Sequence, residues 1–197
     1  MDTIAIKDIE RIFEVSINQN DGIVQGLVRH SHSRHLDMFP FVVENDMKYQ
    51  EAEVFYQKCL DKDIPKELFE KHEYKFHHFI ETLALYNDVY VQLLLDKEAY
   101  ERSHYVHLNK SKFKRFKQKW FEVMEYSLDR ATLLESLAEI QSVSFFATRD
   151  ISPVIFYFLP YNIILFLDGL NGIVYFKSME TCNKISEVVR NCQLYLT

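Results

Sequence analysis

Residues 154–176 read VIFYFLPYNIILFLDGLNGIVYF. Three short runs make up this stretch: Val154 to Leu159, Ile163 to Leu167 and Ile173 to Phe176. Each is rich in β-branched and aromatic side chains, which suit a pleated strand better than the crowded surface of a helix. Pro160-Tyr161-Asn162 and Asp168-Gly169-Leu170-Asn171-Gly172 separate the runs. The chain is therefore expected to form an antiparallel meander whose last two strands make a hairpin. The two central runs are apolar at nearly every position, and a strand without alternation is covered on both faces. The polar and turn residues exclude this most apolar part of the chain as a membrane span. Val143 to Thr148 shares the composition and reads as one more strand.

Upstream the spacing is helical. Ile6, Ile9, Phe13 and Ile17 recur every three to four residues and predict a first helix. Ile23, Val24, Leu27 and Val28 resume that pattern and run into the polar stretch from Arg29 to His35. Met47, Val54, Phe55 and Cys59 mark a third helix. Asp63 before Ile64-Pro65 suggests a capping carboxylate and a proline in the first turn. The buried stripe that follows runs through Phe69, His72, Phe76, Phe79, Ile80, Leu83, Tyr90 and Leu94, with a break near Asn87-Asp88. A further helix is expected from Asn109 or Ser111, its stripe passing Phe113, Phe116, Trp120, Met124 and Leu128 and continuing through Leu133, Leu134, Leu137 and Ile140. Ile185, Val188, Val189 and Cys192 predict a closing helix. The expected fold class is α+β: an N-terminal helical bundle packed with a small C-terminal antiparallel β-meander and a closing helix. One domain spans 1–197, with 1–141 mainly helical and 142–197 holding the meander and terminal helix.

Composition agrees with a folded protein. The 197 residues include 16 Phe and 12 Tyr, far more apolar bulk than a disordered chain carries. Only four Gly and four Pro are present, which favours long helices and argues against glycine-dependent dinucleotide folds. The three cysteines, Cys59, Cys182 and Cys192, are odd in number and lack metal-site spacing. Cys182 and Cys192 lie about 1000° apart around a helix, on different faces. A reduced, cytoplasmic setting is expected. The opening Met1-Asp2-Thr3-Ile4-Ala5 lacks the basic start and apolar run of a secretory leader.

The net charge is −6, yet seven Lys or Arg and no Asp or Glu lie between Arg102 and Phe121. Six of them, Lys110, Lys112, Lys114, Arg115, Lys117 and Lys119, flank the predicted aromatic stripe and form the candidate partner- or anion-binding set. Cations in the first turns of a helix oppose its dipole, so an anionic neighbour is expected. It is either the acidic stretch from Glu44 to Glu101, with 14 acids against 7 Lys or Arg, or an external protein or nucleic acid.

Two histidine groups remain. Glu73, His77 and Glu81 lie four apart on one helical face and could present ligands to a metal, whereas His72 falls on the apolar stripe as a core histidine. Arg29-His30-Ser31-His32-Ser33-Arg34-His35 carries an Arg, a polar residue, four more and a His. This resembles the active-site signature of HEPN-type ribonucleases. The resemblance covers seven residues and implies that Arg29 and His35, near a helix end, would act on an RNA phosphodiester. HEPN domains are helical bundles, and the β-meander departs from them. No nucleophile elbow, phosphate loop or Gly-x-Gly-x-x-Gly run is present. The expected function is therefore recognition of another macromolecule without catalysis, as in an inhibitor or immunity-type protein that masks a toxin or nuclease. No cofactor and no metal are expected. RNA binding or HEPN-like RNA cleavage is the alternative.

Overall fold

The computed structural model describes residues 2–17, 27, 30–40, 47–60, 63–85, 87–94, 129–149 and 153–197. Among them are five α-helices: α1 (Ile6–Phe13), α2 (Met47–Leu60), α3 (Lys66–Ala84), α4 (Leu137–Thr148) and α5 (Met179–Asn191). Eight strands accompany them: β1 (Thr3–Ala5), β2 (Ser33–Asp37), β3 (Val89–Leu93), β4 (Arg130–Leu134), β5 (Val154–Phe158), β6 (Ile163–Asp168), β7 (Asn171–Phe176) and β8 (Tyr195–Leu196). They form one sheet in the order β1-β4-β3-β5-β6-β7-β2-β8, and every pair of neighbours is antiparallel.

This overturns the expected helical bundle with a small C-terminal meander. Four of the eight strands come from the part read as mainly helical, and the sheet draws on the whole chain. Val89-Tyr90-Val91 follows the Asn87-Asp88 break as a strand, not as a continued helix. Asn87 ends α3 by donating from its side chain to the carbonyls of Leu83 and Leu85. Val143 to Thr148 is the reverse case, helix where a strand was expected. Ser136 caps that helix by accepting from the Glu139 amide, and the Glu139 carboxylate accepts from the Glu135 amide. Ser33 to Asp37 is a strand because all five residues pair with β7, from Ser33 opposite Tyr175 to Asp37 opposite Asn171. That partner lies far along the chain, so no local periodicity announces it.

The central strands explain the layers. Val154, Phe156 and Phe158 of β5 point to one face, where Phe76 and Phe79 of α3, Val143 and Phe146 of α4, and Ile185 and Val189 of α5 cover them. Ile155 and Tyr157 point to the other face, against Ile9 and Phe13 of α1. Every residue of β5 is buried, as the unbroken apolar run requires. The β6–β7 hairpin turns through Gly169 and Leu170. Gly169 sits at φ 61°, the left-handed conformation that the first central residue of a type II′ turn demands. Its amide donates to Ala147 O, tying the turn to α4.

Ser178 caps α5 by accepting from the Thr181 amide at 3.3 Å. Ser178→Ala leaves that amide without its partner and is expected to cost about 1 kcal/mol, read as a lowered urea midpoint with unchanged slope.

Candidate functional site

The polar side chains with the most demanding surroundings lie between α3 and α4. These helices run antiparallel, so positions four apart on α3 meet a matching polar stripe on α4. Glu73 meets Thr148 and Arg149, His77 meets Ser144, and Glu81 accepts from Gln141 Nε2 at 2.9 Å. Glu73, His77, Ser144, Thr148 and Arg149 are all buried.

Arg149 grips the Glu73 carboxylate with both ends of its fork, Nε to Oε1 and Nη2 to Oε2, each at 2.7 Å. Thr148 Oγ1 donates to the same Oε1 at 2.8 Å. Burial alone would raise the Glu73 carboxyl, but the hydrogen bonds and charge of Arg149, with His77 alongside, hold it down at about 2. The guanidinium also lies 4.9 Å from the centre of the Phe145 ring. A charge-assisted, bidentate pair of this kind is the form in which a carboxylate can stay ionised in an interior.

Ser144, His77 and Glu73 form a hydroxyl–imidazole–carboxylate line, with Ser144 Oγ 2.8 Å from His77 Nδ1 and His77 Nε2 3.7 Å from Glu73 Oε1. It does not have the properties of a nucleophilic relay. Ser144 is fully buried inside α4, and its hydroxyl donates to the carbonyls of Ile140 and Gln141. Which of Ser144 Oγ and His77 Nδ1 donates in the bond between them follows the imidazole tautomer. Glu73 is already neutralised by Arg149, so it cannot stabilise an imidazolium as a triad acid does. The arrangement is an interhelical clamp. The face Glu73, His77 and Glu81 is turned to α4, where Thr148, Arg149, Ser144 and Gln141 meet it. Among the described residues no three His, Cys, Asp or Glu side chains come together to hold a metal ion.

A second joint attaches α2. Phe39 follows β2, and its ring centre lies 5.7 Å from that of Phe55, 5.9 Å from Tyr56 and 5.6 Å from His72. Phe55 and His72 meet edge to face at 4.7 Å. Asp37 Oδ1 braces the joint by accepting from the Tyr56 hydroxyl and the Phe39 amide, both at 2.9 Å. His72 Nδ1 is buried and has no hydrogen-bond partner. Burial, then the charges of Lys75 and Lys71, lower the His72 ring to about 4, so it is neutral at physiological pH.

The other sequence candidates are placed as follows. Lys110, Lys112, Lys114, Arg115, Lys117 and Lys119 lie outside the described residues, as does Arg29. His35 is exposed in the middle of β2, where its backbone amide and carbonyl pair with Thr197. The setting that the ribonuclease resemblance implies for it, a helix end, is not the one it occupies. Arg149, Ser144 and Thr148 escaped the sequence reading. The polar positions Gln141, Ser144 and Thr148, three and four apart in an apolar run, are the available signal, and the strand-like composition of 143–148 hides it.

No protein-family model, curated protein or solved structure matches this chain. No helix among the described residues is long and apolar enough to cross a membrane.

Proposed function

We propose that this chain is a non-catalytic protein-binding module of the inhibitor or immunity type, which masks a basic toxin or nuclease in a reduced cytoplasm. The observation that carries this reading is the state of α2. Of its ten described side chains only Phe55 is buried. Met47 is 75% exposed and Val54 54%, with Glu51 and Glu53 exposed on the same helix. Most helices in proteins owe their stability to packing of an apolar face, and α2 has little of it. Its exposed apolar side chains would supply the dry centre of an interface, and the surrounding stretch from Glu44 to Glu101, with 14 acids against 7 Lys or Arg, would speed encounter with a partner whose own site is basic. The clamp between α3 and α4 supports the non-catalytic part of the reading, since Glu73 is held by Arg149 and Thr148 and Ser144 is fully buried within α4. The buried free thiols of Cys182 and Cys192 accord with a reducing compartment.

The test is capture from the source cell, followed by an activity assay on the captured protein. The wild-type chain is expected to suppress the toxic or nucleolytic activity of its partner. The doubly substituted Met47→Glu, Val54→Glu chain is expected to keep its circular dichroism and lose at least about tenfold in affinity, the loss of two apolar contacts at an interface centre. RNA cleavage by the purified chain that disappears in His35→Ala would replace this reading with the ribonuclease one.

A further inference from the structure

We propose that the docking of α2 is gated by the charge on His72: the neutral ring closes the aromatic joint, and the protonated ring opens it. As regulation of a partner-facing helix this rests on the proposed function. As a property of the fold it does not.

The joint is thin. Phe55 and Tyr56 are the α2 side chains that meet it, and they close on Phe39 and His72. A neutral imidazole packs there like any other ring. A charged one needs water or an acceptor for each N–H, and Nδ1 faces neither. Around the ring, α3 contributes Lys71 and Lys75, two more cations. From β2 comes Asp37, whose Oδ1 is taken by Tyr56 and the Phe39 amide. From α2 come Phe55 and Tyr56, and from the turn after β2 comes Phe39. The aromatic faces would welcome a cation by themselves. Burial and the flanking lysines outweigh them.

These influences couple to docking differently. Lys71 and Lys75 belong to the helix that carries His72, so they repel a second charge whether α2 is docked or not. Phe55 leaves with α2, and its departure rehydrates the ring. Burial, the larger cause, is therefore the part that links proton uptake to opening.

The sign follows from linkage. The docked ring titrates near 4, and an unburied one, still beside Lys71 and Lys75, titrates above that and below the ordinary 6.5. Above the higher value both states are neutral and docking is at full strength. As pH falls through that window the open state takes up a proton that the docked state refuses, and docking weakens. Solvent reaches part of the ring, so the expected effect at pH 5 is about tenfold in the opening equilibrium, less than the whole window would allow.

Amide hydrogen exchange of the full chain between pH 7.5 and 5, corrected for intrinsic rates, reads this directly. Opening of α2 is expected to rise about tenfold while β5, β6 and β7 keep their protection. His72→Phe, which keeps a ring in the joint, is expected to abolish the rise. The Lys71→Gln, Lys75→Gln chain is expected to move the midpoint to higher pH, and it leaves the joint intact should His72→Phe fail to fold. An α2 opening that is flat with pH would overturn the proposal, as would a rise that persists unchanged in His72→Phe. Because the readout is α2 exchange and not capture of a partner, loss of the binding-module reading would leave it standing.

Discussion

Arg149→Met is expected to destabilise the protein by about 3–5 kcal/mol near pH 7, the cost of stranding a buried charge. The Glu73 carboxylate would keep the Thr148 hydroxyl at 2.8 Å and lose both bonds of the guanidinium fork. Methionine fills most of the volume, so the loss is electrostatic and not a cavity. Two further measurements identify it as such. In the wild type the Glu73 carboxyl is held at about 2, below its ordinary 4.5, so its contribution is present above 4.5 and fades as pH falls toward 2. In the variant burial acts unopposed and raises the carboxyl, so acidification protonates it and relieves the stranded charge. The gap between the two proteins should narrow in urea titrations repeated at falling pH. Adding Glu73→Leu to Arg149→Met removes both charges and should recover most of the loss. A gap independent of pH, or a double variant no better than the single one, would make the clamp a matter of packing alone.

Gly172→Ala is expected to cost about 3 kcal/mol, at the upper end for an added methyl in a packed interior. Gly172 lies in β7, opposite Leu167 of β6 on one side and Leu36 of β2 on the other. A Cβ built there would stand 2.6 Å from the carbonyl oxygen of Phe166. That atom is backbone, and the strand carrying it is also paired with β5, so it cannot swing aside as a side-chain tip would. Relief requires β6 and β7 to separate locally, and that shift reaches β2 and the short edge strand β8. Thermal unfolding should show a lowered midpoint. Gly169→Ala would test the turn instead and is expected to cost less, about 1 kcal/mol, since its burden is one residue's left-handed φ.

Strands β5, β6 and β7 and the helices α1 and α5 follow from local pattern, because their side chains meet a single requirement along a short stretch. Helix α2 is helical as its spacing suggests, yet Met47 and Val54 of that stripe are exposed. Val154 to Phe158 needs two dry faces and can only be an interior strand. Ile185, Val188 and Val189 share one helical face, and the chain folds them onto the sheet. Misreadings cluster where two requirements compete. Leu133, Leu134, Leu137 and Ile140 fit a helical stripe, yet the first two belong to β4 and the second two to α4, with Ser136 between them as a cap. Tyr90 extends the α3 stripe by spacing but pairs as a strand with Tyr157. In each case a hydrogen-bonded partner far along the chain outweighed a weak local preference.

Composition and periodicity by themselves determined that this chain buries a large aromatic core, mixes helix with antiparallel strand, and covers its central strands on both faces. These properties depend on side-chain volume and alternation, which are local. Tertiary structure alone decided that Ser33 to Asp37 extends the sheet beyond β7, that Glu73 and His77 meet a buried arginine and serine on α4, and that His72 closes the joint under α2. Those outcomes depend on which distant groups come within a few ångströms of one another. Hydrogen bonds and ion pairs act only over such distances, so a one-dimensional pattern supplies the candidates and the folded chain selects the partners.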